Sequence, residues 1–133
     1  MGEHRGPREV VEALHATINA HEPAGGRDLF DPEARIIAAT GRTLTLAGLA
    51  RLLTDTLSAF PDLQVSVARW IIDGDVVVTE ELMEGTHRGE FAGLAPTGRR
   101  VRLPLCHVHR VVDGRIVERI AYHDTAGILR QLG

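Results

Sequence analysis

The residues able to do chemistry fall in three parts of the chain. Near the C-terminus His107 and His109 alternate along one run, and Glu118 and Asp124 follow in the next. In the middle, Glu80 and Glu81 stand side by side downstream of Arg69, and His15 lies early in the chain within an apolar helical pattern. Carboxylates and imidazoles of this kind point to proton transfer. Taking a proton from carbon beside a carbonyl needs a base in a dry site and a group that stabilises the resulting oxyanion. A carboxylate on an apolar inner face becomes a stronger base as water is removed from it. Asp124 fits that role; the competing reading is an N-cap for the helix that opens at Thr125, and one carboxylate could do both. His107 could protonate or hydrogen-bond a substrate oxygen, about 13 Å from Asp124 if the sheet were flat. Otherwise it is a satisfied core histidine.

These residues need elements to hold them. Residues 8–21 read as a helix with Val11, Leu14 and Ile18 on one stripe, and 46–59 as a second with Leu46, Leu49, Leu53 and Leu57. A short apolar strand, Ala34–Ala39, lies between them, and Phe60-Pro61-Asp62 stops the second helix. From there the period changes to two. Runs 63–72 and 75–84 flank Asp73-Gly74, and runs 101–112 and 115–123 flank Asp113-Gly114, which is a strong hairpin signal. Gly85–Arg99 reads as an ordered loop, and 125–132 as a closing helix. The whole chain, 1–133, is a single α+β domain.

Two-residue turns set a register. In the second hairpin, Leu103, Leu105, His107, His109 and Val111 share a face with Ile116, Glu118, Ile120, Tyr122 and Asp124. That face is the more apolar and should look inward, as a core network or a pocket lining. In the first hairpin Val65, Val67, Arg69 and Ile71 share a face with Val76, Val78, Glu80 and Leu82. Glu80 and Glu81 must point to opposite faces. Glu80 is expected inside, with Arg69 diagonally across from it. His107-x-His109 also has the spacing of two metal ligands on one strand, but the third would have to be Glu118, and a cross-strand polar pair is the better reading. Cys106 faces outward without an activating base.

Composition narrows the classes further. The net charge is −3 with 15 Lys+Arg, all of them Arg and none clustered, so nothing marks a nucleic-acid or membrane surface. One cysteine excludes a disulfide framework. No run reaches the ~18 apolar residues of a membrane helix. Met1–Pro7 carries no apolar segment, so the expected location is cytoplasmic.

Gly85-Thr86-His87-Arg88-Gly89-Glu90-Phe91-Ala92-Gly93-Leu94-Ala95-Pro96-Thr97-Gly98 resembles the signature of the SnoaL-like polyketide cyclases. Phe60-Pro61-Asp62, Asp113-Gly114-Arg115-Ile116-Val117-Glu118 and the segment from Asp124 to Gly133 extend the resemblance. It implies a nuclear-transport-factor-2-like cone, in which a curved antiparallel sheet wraps around N-terminal helices and encloses an apolar cavity. It also implies a homodimer and a cyclase of lyase or isomerase type in antibiotic biosynthesis. Such an enzyme closes a polyketide-like ring by aldol chemistry with neither metal nor organic cofactor. On this resemblance Asp124 is the acid/base and His107 its partner, with His109 as the alternative. His109, Glu80, Arg69, Leu105, Ile120, Tyr122 and His15 would line the substrate pocket. The chain departs from the family at Glu80-Glu81, where Arg or Trp is common, and at His123, where Trp is. Two other functions fit the same fold: an epoxide hydrolase or epoxide-opening cyclase using Asp124, Glu80 and Arg69, and a non-catalytic protein binding an apolar ligand.

Overall fold

A computed structural model describes residues 5–133, so the reading of Met1–His4 lies outside it. Helix α1, Pro7–Asn19, begins where Pro7 supplies the fixed φ of a first helical turn, and the Glu9 carboxylate accepts from the Gly6 N–H at 3.2 Å. Its buried face is Val10, Val11, Leu14, His15 and Ile18. A 3-10 stretch, Pro23–Leu29, leads into strand β1, Phe30–Ile37, and the two-residue β2, Thr43–Leu44. Helix α2, Leu46–Ala59, is capped by the Thr45 hydroxyl, which accepts from Gly48 N–H. Strands β3, Gln64–Asp73, β4, Val76–Thr86, β5, Arg100–Val112, and β6, Arg115–His123, follow, and α3, Thr125–Leu132, ends the chain.

The six strands form one sheet in the order β2-β1-β6-β5-β4-β3. The four long strands β3 to β6 pair antiparallel, as expected, and β1 joins the sheet parallel to β6. β1 and β6 are not consecutive, and everything from β2 to β5 lies between them in sequence, which is the long connection a parallel pair requires. Helix α1 covers one face of the sheet, and the core forms between them from Val10, Val11, Leu14, Phe30, Ile36, Val77, Val101, Leu103 and Ile116.

Both hairpins form, and each contains a bulge that straightforward pairing from the turn does not foresee. The first turn is Gly74-Asp75, because Asp73 pairs with Val76, and Gly74 takes the positive φ of 60°. Moving the turn by one residue shifts partners by two and leaves the faces unchanged. The register then slips between Val67 and Arg69, and Ala68 is the extra residue. Beyond it Val65 and Val67 share a face with Met83 and Glu81. In the second hairpin Val111 pairs with Ile116 as expected, but Arg110 pairs with Glu118, which makes Val117 the extra residue. All of β6 beyond Val117 is therefore turned over relative to the expected register.

The glycine-rich segment between β4 and β5 docks on the end of α2. Arg88 and Gly89 donate their N–H groups to Ala59 O at 2.9 and 3.1 Å. A Cβ on Gly89 would lie 2.3 Å from Ser58 O, so only glycine permits this approach. His87, fully buried, closes the other end: its Nδ1 accepts from the Thr97 N–H at 3.2 Å, and its own N–H bonds Arg99 O. Gly89→Ala should therefore lower stability by about 1–3 kcal/mol, read as a fall in the thermal midpoint, whereas Gly93→Ala, with open space at its Cβ, should be limited to the cost of its positive φ.

Candidate active site

The inner face of β5 carries Leu103, Leu105, His107, His109 and Val111, as its alternation predicts. Its neighbours decide the rest. On β4, Val77 faces His109, Thr79 faces His107, and Glu81 faces Leu105. Glu81 is thus the carboxylate that enters the interior, with its side chain 2 % exposed. Glu80 points outward, correcting the expectation. The register with β5 overrides the count of apolar residues within the first hairpin, several of which, such as Ile71 and Ile72, are exposed.

Three hydrogen bonds converge on the Glu81 carboxylate. His15 Nε2 lies 2.9 Å from Oε1, His107 Nδ1 lies 2.6 Å from Oε2, and the Thr79 hydroxyl donates to Oε2 at 2.6 Å. Each donor follows from its element. Thr79 is two residues back along β4, His107 lies diagonally across on β5, and His15 projects from the buried stripe of α1. His15 Nδ1 donates to Val11 O at 3.0 Å, so both of its ring nitrogens face acceptors and a proton lies between Nε2 and Oε1. His107 Nε2 makes no hydrogen bond to any described residue.

A second pair adjoins this cluster. His109 Nδ1 donates to Val77 O at 3.1 Å, which leaves Nε2 to accept from Arg119 Nε at 3.3 Å. Arg119 faces inward because of the Val117 bulge, and it is 6 % exposed. The rings of His107 and His109 are 5.7 Å apart. Trp70 closes the flank, its ring edge-on to His15 at 6.2 Å and covered by the Arg8 guanidinium.

Charge states follow from these contacts. Burial alone would push the Glu81 carboxyl up, but the hydrogen bonds from His107 and His15 outweigh it and hold the group below the usual carboxylate range. Burial, joined by the Arg119 charge, pushes His107 down to about 4 against the opposing pull of Glu81. Burial and the same guanidinium hold His109 well below the usual imidazole range.

Several residues expected at the site are elsewhere. Asp124 is exposed: its Oδ1 accepts from Gly127 N–H at 3.0 Å as the N-cap of α3, and its Oδ2 pairs with Arg130. The Arg130 and Gly127 bonds lower its pKa, the opposite of what a desolvated base requires. It lines an open groove of about 420 Å³ with Pro104, Arg130 and Gln131. A second groove of about 400 Å³ lies between Arg27, Phe30, Thr45 and Arg115, and neither groove is lined by His107 or Glu81. Arg69 and Glu80 form an exposed pair at 3.4 Å on the outer face, so the three residues of the epoxide-opening reading share no dry pocket. Tyr122, 55 % exposed, and the half-buried Ile120 also face outward beyond the bulge. Glu118, the candidate third metal ligand, pairs outward with Arg35 at 2.8 Å. Leu105, His15, His107 and His109 are inside. Sequence reasoning missed Glu81 and Arg119 as inner residues, and no local signal marks either bulge.

The sequence profile of the SnoaL-like polyketide cyclases matches residues 8–132. The chain belongs to this family. The nogalonic acid methyl ester cyclase of Streptomyces nogalater is 40 % identical over 52 residues, a segment that spans 39 % of this chain and 39 % of that relative. The crystal structure of IdmH from Streptomyces antibioticus, assigned as a polyketide cyclase, superposes with a TM-score of 0.86 at 31 % identity, covering 97 % of this chain and 99 % of that one. AclR from Streptomyces galilaeus, assigned as a hydroxylase, superposes at 0.87 with 29 % identity over 96 % and 95 % of the two chains. These likenesses show the nuclear-transport-factor-2-like fold that the resemblance implied. No helix among the described residues is long and apolar enough to cross a membrane.

The buried cluster makes stability depend on pH in a definite sense. His107 and His109 stay neutral in the folded chain while their unfolded counterparts take up protons below about pH 6.5. Stability is therefore lost as pH falls from 6.5 toward about 4, and the depressed pKa of Glu81 extends the loss below 4.5. The thermal midpoint should fall steadily between pH 7 and pH 4. A flat profile would mean that these rings are solvated.

Proposed function

We propose that the protein is a polyketide cyclase in which His107, oriented by Glu81, is the acid/base. The observation that carries this reading is the unequal use of the two ring nitrogens of His107. Nδ1 donates to a buried carboxylate, which fixes the tautomer and leaves a lone pair on Nε2 with no protein partner. The ring is neutral at physiological pH and ready to accept a proton. Nε2 takes a proton from the carbon beside a carbonyl, and the enolate carbon attacks a second carbonyl of the same molecule. The alkoxide formed takes the proton back from the imidazolium. Mass is conserved and no co-reactant is consumed. Glu81 stabilises the imidazolium between these steps, and its depressed pKa keeps it ionised throughout. Val67, Trp70, Leu105, Ala121 and His123, neighbours of the cluster in the sheet, are only half-buried, and on this reading substrate approaches Nε2 across them.

Asp124 has no part in this chemistry. Its carboxylate is committed to Gly127 and Arg130 and open to water. The substrate class, a polyketide carrying at least two carbonyls, comes from the family and from the relatives above. A homodimer and a cytoplasmic location remain part of the same proposal.

Nogalonic acid methyl ester, the compound named for the Streptomyces nogalater relative, is the first substrate to offer. Chromatography with mass detection should show a product of unchanged mass. His107→Ala should reduce kcat by about 10²–10⁴, the usual worth of a positioned acid/base, and Glu81→Gln should cause a comparable loss. Asp124→Asn should stay within a few-fold of wild type. An active His107→Ala beside an inactive Asp124→Asn would return the base to Asp124.

A further inference from the structure

Arg119 is a buried cation that the proton-transfer scheme leaves unused. Its Nε is spent on His109 Nε2 at 3.3 Å, an acceptor that is neutral because His109 Nδ1 already donates to Val77 O. Among the described residues no carboxylate pairs with the guanidinium, and its recorded hydrogen bond is the one from Nε. The terminal amino groups are not among the fully buried atoms left without a partner, so they border the surface of the site. The nearest candidate partner on its own side of the sheet, Glu81, is taken up by His15, His107 and Thr79. The carboxylate next to Arg119 in sequence, Glu118, faces outward to Arg35. With Glu81 and Glu118 committed elsewhere, the guanidinium keeps donors that the chain itself does not use and that an outside acceptor could take.

The surroundings show where that partner would sit. Arg119 stands across from His109 on β5, and two residues further along β6 Ala121 stands across from His107. Ala121 carries the smallest side chain on that inner row, so β6 places little bulk beside His107. His109 anchors the guanidinium by its Nε, which leaves the planar edge formed by the two amino groups available to an anionic oxygen pair.

We propose that Arg119 is the anion-recognising residue of the site and takes a negatively charged oxygen of the ligand. This oxygen is either a carboxylate or enolate carried by the substrate or the oxyanion that forms as the ring closes. The proposal deepens the cyclase reading, resting on the placement of chemistry at His107, but its first test reads binding without turnover and so stands apart from that reading. On this assignment the preferred ligands are aromatic or polyketide acids and enolates rather than their neutral amides.

Calorimetric titration of the intact protein with 2-naphthoate and with 2-naphthamide tests it. The acid should bind roughly tenfold more tightly or better, the usual margin of a charge-assisted hydrogen bond. Arg119→Met should abolish that margin and Arg119→Lys should keep part of it. Equal affinities for acid and amide in the wild type would overturn the proposal, as would a margin that survives in Arg119→Met. Because the wild-type comparison needs no variant, a misfolded Arg119→Met leaves the test standing. With a turned-over substrate in hand, Arg119→Met distinguishes the two sources of charge. A higher KM at constant kcat marks an anionic group resident on the substrate, and a lower kcat at constant KM marks the nascent oxyanion. Both constants unchanged would overturn the assignment.

Discussion

The interior of this protein is organised around one buried carboxylate. Glu81 is tied to α1 through His15, to β5 through His107 and to its own strand through Thr79. An isolated carboxylate at that depth would be neutral or excluded, since removing it from water costs far more than burial of its stem returns. With three donors it is held ionised, and the donors in turn are held in one geometry. His15 cannot leave the helix stripe without uncovering Oε1, and His107 cannot turn without uncovering Oε2. The same contact thus joins α1 to the sheet and fixes the orientation of the His107 ring.

That contact also separates the histidines by function. His15 and His109 use both ring nitrogens within the protein, His15 on Val11 O and Glu81, His109 on Val77 O and Arg119. His107 alone of these three keeps one nitrogen unspent. Burial, joined by the nearby Arg119 guanidinium, lowers the basicity of both strand histidines, so neutral rings and an ionised carboxylate coexist within a few ångströms. Such a site is polarised before any ligand arrives. A hydrogen-bond network of this kind does not have to reorganise when charge develops, which is the main advantage of a preorganised site over water.

The outer face shows the complementary arrangement. Arg69 with Glu80, Arg35 with Glu118, Arg110 with Asp75 and Arg130 with Asp124 are exposed ion pairs, each worth little in water. They account for many of the charges in the hairpins. Asp124 belongs with them. Its position at the end of β6 suits a helix cap, and the two oxygens a base would need are occupied by Gly127 and Arg130.

Much of this was legible in the amino-acid sequence. Helical spacing marked α1, α2 and α3, the Asp-Gly pairs marked both hairpins, and alternation placed His107 and His109 on the inner face of β5. The glycine-rich signature and its companions identified the family. These are local signals, in which a residue and its neighbours within a few positions determine the outcome. The inner residues of β4 and β6 were decided by tertiary structure. The pairing of β4 with β5 turns Glu81 inward, an extra residue at Val117 reverses the faces of β6, and one at Ala68 does the same for the start of β3. Hence the sequence alone determined the elements, their order and the histidine row. Only the packed sheet decided that Glu81 and Arg119 would face that row and that Asp124 would not, because strand register is a long-range property that no short window of residues contains.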